Sequence, residues 1–143
     1  MAKPDPALLD PARFPFICMI EPRFGDLDTN MHINNAALAG IVEDARVRFH
    51  AKSGFHTAVK GIAAMVASFA IEYLGQAFYP APLIIHVAAM RVGRTSYELV
   101  QLVMQEGRIV AFTRATMVCV KDGAPTEIPQ LFADSVKPWM LRG

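Results

Sequence analysis

The stretch RFGDLDTNMHINNAALAGIVEDAR, residues 23–46, changes character at its middle. Its second half begins a run in which apolar side chains recur at helical spacing, so an α-helix is predicted over residues 36–52. The apolar stripe of this helix consists of Leu38, Ile41, Val42, Ala45 and Phe49. The opposite face is predicted to be polar and carries Glu43, Asp44, Arg46 and Arg48. Asn34 or Asn35 is suited to cap the N terminus of the helix, and Gly54 is suited to end it.

The rest of the chain is predicted to consist mainly of β-strands. Residues 14–21 form a short apolar run typical of a first strand, and residues 22–35 form a polar loop. Further strand-like runs cover residues 62–79, 82–93, 95–105 and 108–120, and short helices are predicted at residues 55–61 and after Pro129. One long helix followed by strands with short glycine turns indicates an α+β domain with an antiparallel meander rather than βαβ units.

The last long strand is apolar on both faces, which bears on assembly. One face carries Ile109, Ala111, Ala115, Met117 and Cys119, and the other carries Val110, Phe112, Val118 and Val120. A single helix can cover only one face of such a sheet. We therefore expect a second copy of the protein to cover the other face, which makes the protein a homo-oligomer, at least a dimer.

Length and composition limit the classes of function. A chain of 143 residues is expected to form one domain, residues 1–143, with a core that needs no disulfide or metal. The net charge of +1 gives no reason to expect nucleic acid or a membrane as a partner. Cys18 and Cys119 lie in apolar runs and are expected to be buried thiols. No signal peptide or membrane span is recognisable, so a soluble cytoplasmic protein is expected.

The first half of the quoted stretch gathers six polar side chains into ten positions: Asp26, Asp28, Asn30, His32, Asn34 and Asn35. Such a loop can simply turn the chain and cap the helix. A metal site is a weaker interpretation, because a second His or Cys ligand is missing nearby. A third interpretation is carbonyl chemistry without a cofactor. A carboxylate beside the N–H groups of a helix N terminus can activate water or attack, while those groups hold an oxyanion. Spacing alone leaves hydrolysis and hydration open.

Several motifs resemble those of hotdog-fold thioesterases. DLDTNMHINN, residues 26–35, is similar to the D-x-D-x-x-x-H-x-N-N signature of the 4-hydroxybenzoyl-CoA thioesterase-like group, and its D-x-N-x-H core is similar to that of plant acyl-ACP thioesterases. EDAR, residues 43–46, resembles the E-x-A-R of bacterial members, and RVGRTS, residues 91–96, resembles their strand-turn-strand segment. The resemblance extends over residues 16–129. It implies the hotdog fold, a curved antiparallel sheet wrapped around one long helix, in a homodimer or a tetramer built as a dimer of dimers.

The resemblance also implies roles for individual residues. Asp28 matches the catalytic carboxylate, as general base or nucleophile, and Asn30 and His32 match the amide and imidazole that hold water or polarise the carbonyl. Asn34 and Asn35 match structural amides that shape the pocket. The resemblance implies active sites between subunits, near the helix N terminus, with no metal and no cofactor apart from the coenzyme A that belongs to the substrate.

Four further residues are candidate substrate-binding residues, each with a structural alternative. Glu43 is either a pocket residue or part of a solvated helix face. Arg91 and Arg94 either meet coenzyme A phosphates or belong to a turn, and Ser96 either faces the acyl group or is an ordinary strand serine. The remaining histidines, His50, His56 and His86, match no motif and are expected to be structural.

The leading hypothesis is an enzyme, an acyl-CoA or acyl-ACP thioesterase that releases free acid and thiol. The second is a hotdog-fold hydratase or dehydratase, in which Glu43 on the helix would supply the acid. The third is a non-catalytic acyl-CoA-binding module, because a fold does not fix a function. For the acyl group, Met65, Phe69 and Phe78 are expected to line an apolar wall.

Overall fold

The computed structural model describes residues 3–55 and 61–143, and contains two α-helices and six strands in that part of the chain. The helices are α1 (Asn35–Lys52) and α2 (Gln130–Ser135). The strands are β1 (Phe16–Ile20), β2 (Ala63–Tyr73), β3 (Leu83–Val92), β4 (Ser96–Gln105), β5 (Arg108–Lys121) and β6 (Ala124–Pro125). His56 and most of the helical turn predicted at residues 55–61 lie outside the described residues.

The strands form one antiparallel sheet in the order β1-β3-β4-β5-β2, with β6 paired to β5. Consecutive strands β3, β4 and β5 are neighbours, so the predicted α+β meander is confirmed. The β4–β5 turn places Glu106 and Gly107 at φ of 50° and 78°, the left-handed geometry that closes short hairpins. The predicted strand at residues 62–79 ends early, at Tyr73, because the N–H groups of Leu74 and Gly75 both turn to the Val110 carbonyl.

Helix α1 packs its predicted stripe against the inner face of the sheet. Leu38, Val42, Ala45 and Phe49 are buried, and Ile41 is half-buried. Both edge strands reach this helix. Arg48 donates to the Met19 carbonyl of β1 at 3.4 Å, and the Tyr73 hydroxyl of β2 donates to the Asn35 carbonyl at 3.0 Å. The sheet therefore curls around α1. No helix within residues 3–55 and 61–143 combines the length and hydropathy needed to span a membrane.

A bulge in β5 changes the predicted faces of that strand. The register with β4 shifts between the pairs Val103–Ala111 and Met104–Ile109, which leaves Val110 unpaired in that ladder. Val110 therefore joins Ala111 in the core under α1, and Ile109 joins Phe112 on the outer face. The strict alternation predicted from the sequence is therefore wrong at Ile109 and Val110.

The middle of the outer face of the sheet is covered by the chain itself. Leu8 and Phe14, from the N-terminal segment, pack on a cluster formed by Ala88, Val100, Leu102 and Phe112. The C-terminal residues hold this segment in place, because Arg142 N–H donates to the Arg13 carbonyl at 2.8 Å and Arg13 Nε donates back to the Arg142 carbonyl at 2.7 Å. The chain itself thus covers much of the face for which a second copy was predicted, and the oligomeric state stays a prediction.

His86 is buried under the N-terminal segment, 7% exposed, with its ring edge-on to Phe14 at 6.2 Å. Its Nδ1 has no hydrogen-bond partner among the described residues. Burial lowers the pKa of the imidazole, so the folded state favours the neutral ring. In the unfolded chain the group titrates near ~6.5, so stability should be lost as pH falls below that value.

We expect acidification from about pH 7.5 to about pH 5 to destabilise wild type more than His86→Leu, by at most about 1.4 kcal/mol per pH unit. Urea unfolding of both proteins across this range measures the two slopes. The other three histidines, His32, His50 and His56, are present in both proteins, so the difference isolates His86. Identical slopes would contradict the assignment.

Candidate active site

Asp26 stabilises the polar loop between β1 and α1. This residue is buried, although it is acidic. Its carboxylate accepts from the Arg23 N–H at 2.8 Å and from Arg23 Nη2 at 3.2 Å, and its carbonyl accepts from the Asn34 N–H at 2.7 Å. Asp26 thus ties the beginning of the loop to its end. The sequence placed it in the motif but not among the site residues, and its burial follows from the folded loop rather than from the pattern.

Asp28 begins a tight turn, and its own side chain and backbone form the hydrogen bonds that close this turn. Its Oδ1 accepts from the N–H groups of Asn30 at 2.8 Å and His32 at 3.1 Å, and its own N–H donates to the His32 carbonyl at 2.9 Å. Met31 completes the turn with a φ of 63°. Oδ2 has no hydrogen-bond partner within residues 3–55 and 61–143. One carboxylate oxygen therefore fixes the loop, and the other remains available for chemistry.

His32 is anchored to the segment that follows β2. It forms an isolated antiparallel bridge with Phe78, and the two rings meet edge-on at 5.1 Å. The next residue, Ile33, donates its N–H to the Ala77 carbonyl at 2.8 Å. Asn30 is exposed at the tip of the loop. The loop therefore brings Asp28, Asn30 and His32 into one turn, although no hydrogen bond joins one of their side chains to another in the described part of the chain.

The first turn of α1 is capped by Asn34, one of the two predicted candidates. Its Oδ1 accepts from the N–H groups of Ala36 at 2.8 Å and Ala37 at 3.4 Å. The cap occupies donors that an oxyanion would otherwise use. Among the first three N–H groups of the helix, that of Asn35 alone has no partner in the described residues.

Replacing Asn34 with Ala should cost about 1 kcal/mol of stability, because two helix N–H groups lose their acceptor. Asn35→Ala, one residue later, should cost less than about 0.5 kcal/mol, since its side chain caps nothing. Chemical denaturation of the two variants measures the difference. Equal losses would show that the Asn34 side chain does not stabilise the first turn of α1.

A cavity of about 390 Å³ opens beside the start of α1. It is lined by Ile33, Asn35, Leu38, Tyr73, Leu74, Gly75, Gln76, Ala77 and Val110. Gly75 is required there, because a Cβ would lie 2.9 Å from the Ile109 carbonyl oxygen. The cavity adjoins the loop through Ile33 but is not lined by Asp28, Asn30 or His32. The wall expected from Met65, Phe69 and Phe78 is also absent from it.

A larger cleft, about 690 Å³, runs along the other side of α1, next to β1. The charged groups on its rim include two ion pairs, Arg48–Asp44 at 2.9 Å and Arg23–Asp26 at 3.2 Å. Asp28 and His32 do not line it. Both cavities touch the polar loop, the larger through Arg23, Gly25 and Asp26 and the smaller through Ile33. The smaller cavity is the better candidate for a substrate pocket, since it also includes Asn35, whose N–H at the start of α1 has no partner in the described residues.

Arg46 on α1 is buried, contrary to the prediction. The sequence placed it on the polar face, but it is only 5% exposed. Its Nη1 donates to Gln101 Oε1 at 3.1 Å, and its guanidinium lies 4.9 Å from the centre of the Phe69 ring. Burial lowers the pKa of the guanidinium, and the charge of nearby Glu43 partly opposes that shift. Its spacing of four residues from Val42 was the signal that could have indicated burial.

The other predicted binding residues lie away from the loop. Glu43 is exposed on α1, eight positions after Asn35. Arg91 pairs with Glu98 at 3.3 Å, and Arg94 pairs with Glu127 at 3.5 Å. Ser96 begins β4, opposite Val118. Within one chain the Arg91–Ser96 segment lies at the opposite end of the sheet from the Asp28 loop, so one chain alone does not assemble the predicted site.

The described part of the chain holds no group of three or more His, Cys, Asp and Glu side chains placed to hold a metal ion.

The sequence matches the model of the Thioesterase-like superfamily over residues 22–140. No curated protein matches it. Among solved structures, a thioesterase from Thermus thermophilus, complexed with coenzyme A and Zn, is 26% identical, with a TM-score of 0.80 over 87% of this chain and 93% of that one.

Two further structures show the same architecture. A predicted thioesterase from Bacillus stearothermophilus is 22% identical, with a TM-score of 0.81 over 90% of this chain and 98% of that one. The DHNA-CoA thioesterase from Staphylococcus aureus is 21% identical, with a TM-score of 0.72 over 86% and 87% of the two chains. Together with the curled sheet around α1, these similarities confirm the predicted hotdog fold.

Proposed function

Because the chain belongs to the thioesterase-like superfamily, we propose that it hydrolyses the thioester bond of an acyl-CoA or acyl-ACP, with Asp28 as the catalytic carboxylate. The observation that carries this proposal is the state of the Asp28 side chain. Its Oδ1 is held by the N–H groups of Asn30 and His32, and its Oδ2 meets no donor in the described part of the chain. A carboxylate fixed in this way is oriented before substrate arrives, which favours catalysis.

In the proposed reaction, the acyl group occupies the cavity beside α1 and the thioester carbonyl lies over the turn at Asp28. Asp28 takes a proton from water as the water oxygen attacks the carbonyl carbon. The C–S bond then breaks, the thiolate takes up a proton, and free acid and thiol leave. As a nucleophile, Asp28 would instead form an anhydride that water then hydrolyses. His32, held against Phe78, polarises the carbonyl or positions the water, and Asn30 assists from the loop tip.

The N–H of Asn35 at the start of α1 is the helix group best placed to stabilise the developing oxyanion. Asn34 serves as the cap that leaves this N–H available. No metal or redox cofactor enters this reaction, and the coenzyme A moiety is part of the substrate. We place the activity in the cytoplasm.

A homodimer, alone or paired into a tetramer, is part of the proposal. The Arg91–Ser96 segment can reach the Asp28 loop only from a second copy. In that arrangement Arg91 and Arg94 would meet the phosphates of the carrier, although each now has a carboxylate partner in its own chain. Ser96 and Glu43 would line the shared site.

The test is the release of free thiol from a panel of acyl-CoAs of varied chain length, including aromatic ones, and from matching acyl-ACPs. Turnover supports the hydrolase and identifies the acyl class and carrier. Hydration of an enoyl-CoA without thiol release would instead favour the hydratase, with Glu43 as its acid. A rise in melting temperature with acyl-CoA, and no reaction, would favour a binding module.

A further inference from the structure

The hydroxyl of Tyr73 is a polar group of the substrate cavity that the proposed reaction does not use. Tyr73 ends β2 and lines the cavity of about 390 Å³ together with Asn35. Its hydroxyl donates to the Asn35 carbonyl at 3.0 Å. A tyrosine hydroxyl has a single proton, so this bond occupies the donor and leaves the oxygen able only to accept. Towards a bound molecule, Tyr73 is therefore an acceptor that pairs with O–H or N–H groups.

This acceptor lies close to the proposed oxyanion donor, the N–H of Asn35. That N–H has no partner in the described residues, and Tyr73 is bonded to the carbonyl of the same residue. Within one helical residue the N and O atoms are roughly 3.5 Å apart. The 3.0 Å hydrogen bond therefore places Tyr73 Oη at most roughly 6.5 Å from the Asn35 nitrogen. A substrate whose carbonyl oxygen accepts from Asn35 can reach Tyr73 with a donor that is only a few bonds from the carbonyl.

The rest of the cavity lining indicates what kind of acyl group fits beside these two residues. The described residues that line it carry no charge. Its buried lining residues are apolar: Ile33, Leu38, Ala77 and Val110. Asn35 and Tyr73 are exposed, so the polar groups lie on the open side of this apolar surface. An acyl group placed here can pack its tail on apolar side chains while a polar group near its carbonyl meets Asn35 and Tyr73.

We propose that the substrate is a 3-hydroxyacyl thioester, whose hydroxyl donates to Tyr73 Oη while its carbonyl oxygen accepts from the Asn35 N–H. On a flexible acyl chain the oxygens on the first and third carbons can lie roughly 3–5 Å apart, which allows both hydrogen bonds at once. The remaining carbons of the chain then pack on the apolar lining. This inference rests on the proposed thioester hydrolysis and names the acyl class that the site takes.

The direction of the hydrogen bond from Tyr73 to Asn35 sets the preference. A 3-oxoacyl group has the same chain length but offers only an acceptor, and an unsubstituted acyl group offers neither donor nor acceptor at that carbon. Neither group can pair with a hydroxyl whose proton is already used. Because Tyr73 exposes 44% of its surface, water competes for its oxygen, and we expect a preference of about 3–10-fold rather than a larger one.

The test follows thiol release from 3-hydroxybutanoyl-CoA, 3-oxobutanoyl-CoA and butanoyl-CoA by wild type and by Tyr73→Phe. Dividing the wild-type kcat/KM by that of the variant, substrate by substrate, cancels differences in the intrinsic reactivity of the thioesters. This ratio should be about 3–10 times larger for the better 3-hydroxy enantiomer than for the other two substrates. Tyr79→Phe is the matched control, because it removes a hydroxyl from an exposed tyrosine that does not line the cavity, and it should keep the wild-type preference.

Equal ratios for the three substrates would overturn the inference, because the Tyr73 hydroxyl would then act on a part that all three share. A second measurement does not need hydrolysis. In analogues of 3-hydroxybutanoyl-CoA and butanoyl-CoA with a methylene in place of the thioester sulfur, calorimetry should find tighter binding of the hydroxylated analogue to wild type and similar binding of both to Tyr73→Phe. That difference without any thiol release would reject the hydrolase and keep the acyl class, whereas thiol release with equal ratios would reject the acyl class alone.

Discussion

Replacing Asp28 with Asn is expected to lower kcat/KM for thioester hydrolysis at least about 100-fold while the protein stays folded. The amide oxygen of Asn can still accept from the N–H groups of Asn30 and His32, so the turn at residues 28–32 is preserved. What is lost is the negative charge and the basic or nucleophilic oxygen. The variant therefore separates the role of this side chain in closing the turn from its proposed role in catalysis.

Thiol release is measured with the best substrate of the panel, alongside the melting temperature. Asp122→Asn is the control, because it makes the same change in the turn between β5 and β6, where φ is 52° and Asn is well tolerated. It should keep full activity. An Asp28→Asn protein that stays folded and retains roughly a third or more of wild-type kcat/KM would remove Asp28 from the mechanism.

Gln105→Leu is expected to destabilise the protein by about 2–4 kcal/mol and to lower activity roughly tenfold or more. Gln105 is fully buried and makes three hydrogen bonds to the segment after β2: it accepts from Phe78 N–H at 2.9 Å and donates to the carbonyls of Phe78 and Ala81 at 2.8 Å each. Leu has a similar volume but leaves these groups unpaired. Phe78 then loses its support, and His32, which packs against it, loses its position.

Urea unfolding gives the change in stability, and the kinetic readout is the split between kcat and KM. We expect kcat to fall more than KM rises, because the substrate cavity itself is not altered. Gln76→Leu, an exposed glutamine in the same segment, is the control for stability alone, because it lines the substrate cavity, and should stay within about 0.5 kcal/mol of wild type. Full activity in a destabilised Gln105→Leu would show that the position of Phe78 does not matter for His32.

Local patterns predicted the parts of this molecule that depend on local physics. The α1 stripe from Leu38 to Phe49 follows from the helical period, and the meander follows from glycine turns such as Glu106-Gly107. The capping role of Asn34 follows from its place before the helix. These features need only neighbours in sequence, which is why the pattern was sufficient.

The misjudged features depend on distant residues. The charge of Arg46 predicts a place on the polar face, but Gln101, on β4, provides the polar contact that makes its burial tolerable. The position of His32 also depends on a distant residue, because Gln105 on β4 holds Phe78, against which His32 packs. The N-terminal prolines gave no sign that Leu8 and Phe14 would cover the sheet, and the bulge at Val110 reversed a face that alternation had predicted.

The mutual hydrogen bonds of Arg13 and Arg142 have a consequence for the order of folding. These residues are 129 positions apart, so the contact joins segments from the two ends of the chain and depends on the sheet that lies between them. During synthesis Leu8 and Phe14 emerge early, yet the strands they cover, and the residue that fastens them, are made much later. The outer apolar cluster is thus expected to be completed late, and until then its apolar side chains stay exposed on the nascent chain, which favours aggregation.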